Sequence, residues 1–497
     1  MAADRRPRVA AAAPPGRRSI PGGPGHGHGP ASVSAYSSTT TTTTAAGGYE
    51  SPDENNNHMP PLHALPHSHP PRPKPVPWQP HGSASAPHLG RGPGRDPEFE
   101  LEAAGGTGTG NSSPRSLDDV LQRSQKLKTG KTSIGDRIAE FRWTWFTMTM
   151  ATGGIANVLH TLPYNPAWLN GIGLAFYFLN LCLFILNTVL ISIRFRLRPG
   201  SFVNSFTDQM ESLFISAFLV SIATILITTC QYGVSHTSGW PVEPMEAMFW
   251  IYLGLSVVVS AGLYLTLWST QVFPIHTMTP VWVFPAYPLL LTAPFGANLI
   301  SAASQSSRLD LLNTVAVAVA SVTVQGTGFL ISFMVCAAFL YRLMTQKLPR
   351  DAQRPGVFIS IGPAGFTAAG LVQLGSLSDV IFPADLMGTE HARFILRLMA
   401  YMAGLWLWGL SIWFFLVSVG SLWKYLRPDH KGKMPFQMTW FSFVFPNTAL
   451  VTATEALGSA FESPGLRIFG CVLAACIIVV WVFVFFYMLR CLWRREL

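Results

Sequence analysis

The chain has 497 residues, 49% of them hydrophobic and 12% charged, with a formal net charge of +9. A soluble domain carries about 25% charged residues, so a wholly soluble architecture is excluded, and the positive surplus fits basic loops beside a bilayer better than nucleic-acid binding. The six cysteines lie almost wholly inside apolar stretches, with neither metal-ligand spacing nor an extracellular disulfide framework.

First in chain order comes a tail. Residues 1–130 hold proline runs, HGHG, the Thr39–Thr44 tract and PHSHPPRPKPVPWQP, with few large apolar side chains. Such a segment cannot bury enough surface to offset its ordering entropy, and it reads as a disordered, low-complexity cytoplasmic tail. Its histidines fit a solvated tract better than a metal site. The opening residues lack the apolar core of a cleavable signal, so the first span is expected to direct insertion.

Residues 131–497 read as one all-α integral membrane domain. A span needs about 20 mostly apolar residues, and ten are expected, at 143–160, 168–193, 211–232, 245–270, 281–302, 312–342, 357–375, 396–423, 440–460 and 467–490. Lysine and arginine set the orientation. With the N-terminus cytoplasmic, Arg194, Arg196, Arg198, Arg342, Lys347, Arg350, Arg354, Lys424, Arg490 and Arg494 fall inside. Only Arg308, Arg393, Arg397 and Arg467 fall outside. Both termini are then cytoplasmic.

Odd and even spans differ. The first holds TMTMATGGIAN, the fifth VFPAYPLLLTAPFGAN, the seventh ISIGPAGFTAAGLVQLG and the ninth FVFPNTALVTATEALG. Each is interrupted by Gly or Pro and carries hydroxyls or amides. The third, FLVSIATILITTC, is milder, and even spans such as CVLAACIIVVWVFVFFYML are bulky and uninterrupted. The marked sites, near Gly153, Ser221, Pro285, Pro363 and Pro446, recur every 65 to 85 residues or so, which fits a two-span repeat. Backbone groups freed by proline are tolerated in a membrane only where protein or a watery cavity satisfies them. The expected architecture is therefore five helical hairpins around a central pore, with broken helices inside and bulky ones facing lipid.

In the ninth span, Phe445, Thr448, Thr452 and Glu455 fall within an arc of about 80° on an ideal helix, a stripe suited to a pore wall. Glu455 has two readings. Protonated, it is neutral and links proton entry to anion entry; otherwise it sits near the outer mouth and pairs with Arg467 or Arg393. His160, at the outer end of the first span, is either a second titratable group or an interfacial structural residue.

The motifs FRWTWFTMTMATGGIA, WVFPAYPLLL, LPRDAQRPGVFISIGPAGFTA, WLWGLSIWFF and FVFPNT resemble the tellurite-resistance/dicarboxylate transporter family, over about residues 138–490. The branch resembled is that of fungal malic-acid permeases. The resemblance implies a ring of five hairpins around one pore per subunit, and a homotrimer. It implies small anionic cargo: malate and other C4 dicarboxylates, sulfite in a sister fungal branch, chloride and nitrate in plant slow anion channels. It also implies a pore-gating phenylalanine directly before the ninth-span proline, the place held here by Phe445. GPAGF, Gly362 to Phe366, stands where sulfite pumps carry a GPLGQ-type sequence, which favours dicarboxylate.

No span centre carries lysine or arginine, so the anion is expected to be held by hydroxyls and broken-helix N–H groups. The expected substrate path is Thr152, Gly153, Gly154, Pro285, Gly362, Pro363, Thr367, Pro446, Asn447, Thr448 and Thr452. Asn180, Asn187 and Gln325, on even spans, are expected to make interhelical hydrogen bonds. With no nucleotide loop, metal cluster or catalytic triad, the chain reads as a plasma-membrane anion transporter without cofactor or enzymatic step. Sulfite efflux or channel-like conduction is the alternative on the same fold, and a receptor acting through its tail is the alternative of another class.

Overall fold

The computed structural model describes residues 134–233, 242–426 and 434–494. The expectations for the 1–130 tail lie outside these residues. Every described element is helical. Ten helices matter here: α1 Phe146–Thr161, α2 Ala167–Leu197, α3 Ser216–Thr228, α4 Val242–Thr270, α5 Thr292–Gln305, α6 Thr314–Thr345, α7 Ile361–Ser376, α8 Ala392–Ser421, α9 Phe445–Ala460 and α10 Pro464–Trp493.

Eight helical stretches among the described residues are long and apolar enough to cross a membrane. They correspond to the expected spans except the first and ninth. Those two contain α1 and α9, each a sixteen-residue helix. As α-helix they are no shorter than α3, α5 and α7, of 13, 14 and 16 residues, and the brevity has a local cause. Trp143–Trp145 and Met438–Phe443 run as 3-10 turns before the α-helix begins, and Pro446 occupies the first turn of α9, where a missing N–H costs nothing.

The same device recurs in all five odd segments. Ser212–Ile215 precedes α3, Pro280–Leu291 precedes α5 and Asp351–Ser360 precedes α7, all as 3-10 helix. The 3-10 form rises about 2.0 Å per residue against 1.5 Å for α, so each odd segment reaches further than its residue count suggests. Pro285 and Pro288 inside the longest of these runs fix φ and remove two N–H donors.

Burial separates two rings. In the most apolar window of the segments containing α3, α5 and α7, 78%, 94% and 89% of residues are buried, against 17% to 33% for α2, α4, α6, α8 and α10. Most residues of α1 and α9 are buried too. Segment packs on segment in order: α1 on α3, α3 on the α5 segment, α5 on α7, α7 on α9, and α9 back on α1. The inner ring is closed, and each even helix lies outside it, its exposed face rich in large apolar side chains.

Outer residues satisfy the backbone that the inner breaks release. Tyr252 and Tyr264 of α4 donate to the carbonyls of Pro288 (2.5 Å) and Trp282 (3.0 Å). Asn187 of α2 donates to the Trp145 carbonyl (3.1 Å), and Ser411 of α8 to that of Ile361 (3.1 Å). Gln325 of α6 accepts from the Ala293 N–H (3.2 Å) and donates to the Thr367 hydroxyl (2.9 Å). Asn187 and Gln325 thus make the interhelical bonds expected of them. Asn180 makes none among the described residues and presses its amide against Gly153.

Charges gather where the even helices end. Arg194 pairs with Glu211 in a buried bidentate contact, Lys424 and Arg354 both reach Asp351, and Arg137 donates to the Leu492 carbonyl. This is the basic end of the bundle.

Candidate functional site

Two cavities bear on the inner ring, the larger reaching outward between α2 and α10 as well. A vestibule of about 1200 Å³ opens at the basic end, and all five 3-10 entrances or their adjoining turns contribute to it, through Met148, Phe214, Val281, Gly356 and Met438. Arg137, Arg142 and Glu140 also line it, together with Glu211, whose charge Arg194 balances. Further along, a chamber of about 20 Å³ is walled by all five inner helices, room for about one water molecule.

Aromatic rings close the chamber toward the vestibule. Phe445 begins α9, is 3% exposed and lines the chamber. Its ring centroid lies 5.1 Å from that of Phe366 and 6.0 Å from that of Tyr287. Tyr287 in turn stacks on Phe284 at 5.2 Å and donates its hydroxyl to the Ile359 carbonyl at 2.6 Å. The Phe445 ring is thus gripped by side chains from the fifth and seventh segments, and each of these is fixed by its own contacts.

Of the expected path residues, Gly154, Thr448 and Thr452 line the chamber with Phe445. Thr448 donates to the Phe445 carbonyl (2.6 Å) and Thr452 to the Thr448 carbonyl (2.8 Å), so both hydroxyls turn their lone pairs toward the axis. A Cβ on Gly154 would lie 2.8 Å from the Thr448 hydroxyl, so the glycine is what lets α1 and α9 approach. Gly153 faces Thr224 and Asn180 instead.

The remaining path residues sit behind the wall. Thr152 donates to the Met148 carbonyl (2.8 Å) and accepts from the Trp481 indole of α10 (3.2 Å). Thr367 donates to the Pro363 carbonyl (2.7 Å) and faces α6. Gly362 makes room for the Tyr287 hydroxyl. Pro285 is buried within its 3-10 run, Pro446 in the first turn of α9. Asn447 donates to the Phe443 carbonyl (2.8 Å).

Glu455 leaves the stripe. The residue is 2% exposed, and its carboxyl oxygens have no hydrogen-bond partner among the described residues and lie against Gly470 of α10. A turn of only three residues joins α9 to α10, which brings the first turns of α10 against the last turns of α9. The far edge of an 80° arc therefore meets α10. Arg467, one of its expected partners, donates to the Gly458 carbonyl instead (3.2 Å). His160 ends α1 with its ring 5.2 Å from Tyr232.

Three amides were not anticipated. Gln231, in the single π-helical turn Thr229–Gly233 that ends the third segment, donates Nε2 to Asn157 Oδ1 (2.7 Å) and to Asn298 Oδ1 (2.9 Å). Asn157 Nδ2 reaches Thr452 Oγ1 (3.3 Å). Asn157 and Asn298 line the chamber, as do Thr224 and Gln373. The sequence held a trace of them: TGGIAN and PFGAN each end in Ala-Asn one to three residues past a packing glycine.

A closed ring of broken helices, an axial chamber lined by hydroxyls and amides and an aromatic barrier define a membrane transport protein and not an enzyme. The family model described as "voltage-dependent anion channel" (SLAC1) matches residues 140–489, and the chain belongs to that family. It is similar to a malic acid transport protein of Schizosaccharomyces pombe, 26% identical over 75% of this chain and 83% of the relative. A putative malic acid transport protein of the same yeast is 28% identical, over 77% and 88%. A sulfite efflux pump of Trichophyton rubrum is 27% identical, over 70% and 90%.

Proposed function

We propose that this chain carries small organic anions, malate or another C4 dicarboxylate, through the centre of its inner ring. The observation that carries this reading is the chamber walled by all five inner helices, lined by hydroxyls and amides and stopped by Phe445. Neutral amides, and hydroxyls whose O–H turns from the backbone to the cargo, stabilise an anion without trapping it, whereas a buried lysine or arginine would hold it too firmly to release. Arg137 and Arg142 at the vestibule raise the local anion concentration.

On this reading α1 and α9 complete ten spans in five hairpins, Phe445 is the gate, and both termini are cytoplasmic, since the basic end faces inward. The plasma membrane and a homotrimer follow from the family resemblance. Glu455 and His160 are the candidates for proton coupling, Glu455 because it is buried without a partner.

The test is uptake of labelled malate into proteoliposomes at pH 5 and pH 7, with sulfite as competitor. Saturable uptake, stimulated by an inward proton gradient, is the expected result. Sulfite flux with no malate flux would overturn the dicarboxylate assignment and place the cargo with that of the sulfite pumps, whose similarity to this chain is equal in degree.

A further inference from the structure

Beyond the aromatic barrier, the chamber is closed a second time. Asn157 from α1, Gln231 from the turn after α3 and Asn298 from α5 meet through their side-chain amides, and Thr452 of α9 joins them. These residues lie 67 to 74 positions apart in sequence within the amide set. Gln373 of α7 faces the same space, and its buried Oε1 has no partner among the described residues. All five inner helices therefore bring a polar group to one level of the axis.

We propose that Asn157, Gln231 and Asn298 form a hydrogen-bonding filter in series with Phe445, which passes an oxyanion by exchanging amide–amide bonds for bonds to its oxygens. Gln231 Nε2 bridges Asn157 Oδ1 and Asn298 Oδ1, while Asn157 Nδ2 is held by Thr452 and Asn298 Nδ2 by the Pro294 carbonyl (2.8 Å), and the chamber so closed has the size of one water. An entering carboxylate brings two acceptor oxygens in a plane, and amide N–H groups released from their neighbours meet them. Bonds to a charged acceptor are stronger than the amide–amide bonds they replace, and this repays the anion for part of its lost hydration. A single π turn places Gln231 here. Such turns interrupt the i→i−4 ladder and redirect one side chain, and they frequently mark functional positions. A halide, spherical and with no paired oxygens, gains less from the same donors, so the filter favours oxyanions.

The inference rests on the axial passage and the Phe445 gate proposed above, and the experiment separates the two. Labelled malate and chloride uptake are read for wild type, for Phe445→Ala, and for Gln231→Met and Asn298→Leu in each background. Both filter variants preserve approximate side-chain size while removing the donors, and monodisperse elution selects folded protein.

The expected result is a fall of about tenfold in the malate-to-chloride ratio, the loss of one hydrogen bond to a charged group. The fall should appear in either folded variant and in either background. A ratio equal to that of the parent, or equal losses of malate and chloride, would overturn the filter and leave the amides a packing role. Failure of Phe445→Ala to raise flux would count against the gate alone. If wild type carries sulfite and not malate, the ratio is read with sulfite, which is also an oxyanion.

Discussion

At the scale of single residues, the axis is controlled by what is large and by what is missing. Phe445 supplies the bulk. Replacing it with alanine removes a ring held between Phe366 and Tyr287 and opens the chamber to the vestibule. Anion flux in proteoliposomes should rise severalfold, while the protein loses thermal stability because a buried ring is gone. Wild-type flux in a folded Phe445→Ala protein would remove the gate. Gly365 supplies absence. A Cβ there would lie 2.9 Å from that of Ala449 and 3.0 Å from the backbone of Ala449 and Leu450. Backbone cannot step aside, so Gly365→Ala should cost about 1–3 kcal/mol by overpacking, read as a lower melting temperature in detergent. Gly171→Ala, where nothing lies within 4 Å, is the matched control and should melt at or above wild type.

At the scale of elements, a broken helix survives because its neighbour supplies the missing partners. Tyr252 and Tyr264 hold the Pro280–Leu291 run by its carbonyls, and that run carries two internal prolines. Tyr252→Phe removes one buried hydrogen bond to the Pro288 carbonyl, a cost of about 0.5–1.5 kcal/mol. The double variant with Tyr264→Phe should lower the melting temperature further. Flux per folded molecule should rise in the same order, because Tyr287, which holds the Phe445 gate closed, sits on this run. A double variant as stable as wild type would show that the run stands without its outer helix.

The same breaks made these elements legible in advance. Proline and paired glycine are visible one residue at a time, so the alternation of broken and smooth segments could be read from WVFPAYPLLL or TMTMATGGIA alone. The closing of Gly154 on Thr448 and the position of Thr452 follow from one helix face meeting another. What escaped notice was set by helices far apart in sequence. Asn157, Gln231 and Asn298 converge only because the ring closes, and Gln231 depends on a π turn that leaves no compositional mark. Glu455 failed the stripe for a related reason. An ideal helical wheel knows nothing of the three-residue turn that lays α10 against its flank.

At the scale of the whole molecule, the ring is self-sufficient. Each inner segment is sealed by its two inner neighbours and backed by an outer helix, and the packing closes from α9 to α1. The first described helix begins at Ile134, and the family match begins at residue 140. Every group argued to carry transport lies between Arg137 and Glu455. The contacts that anchor the basic end, Arg194 to Glu211 and Lys424 to Asp351, also lie after residue 134. Removal of residues 1–130 should therefore leave saturable anion uptake, per molecule of folded protein, within about a factor of two of the full chain, since no group in contact with cargo is touched. A receptor or scaffold acting through its tail predicts the reverse, intact protein in the membrane with its role lost. Loss of flux in a truncated protein that still elutes as the folded species would mean that the tail acts on the passage itself, and the vestibule at the basic end, where Arg137 and Arg142 stand, is where its contact would then be sought.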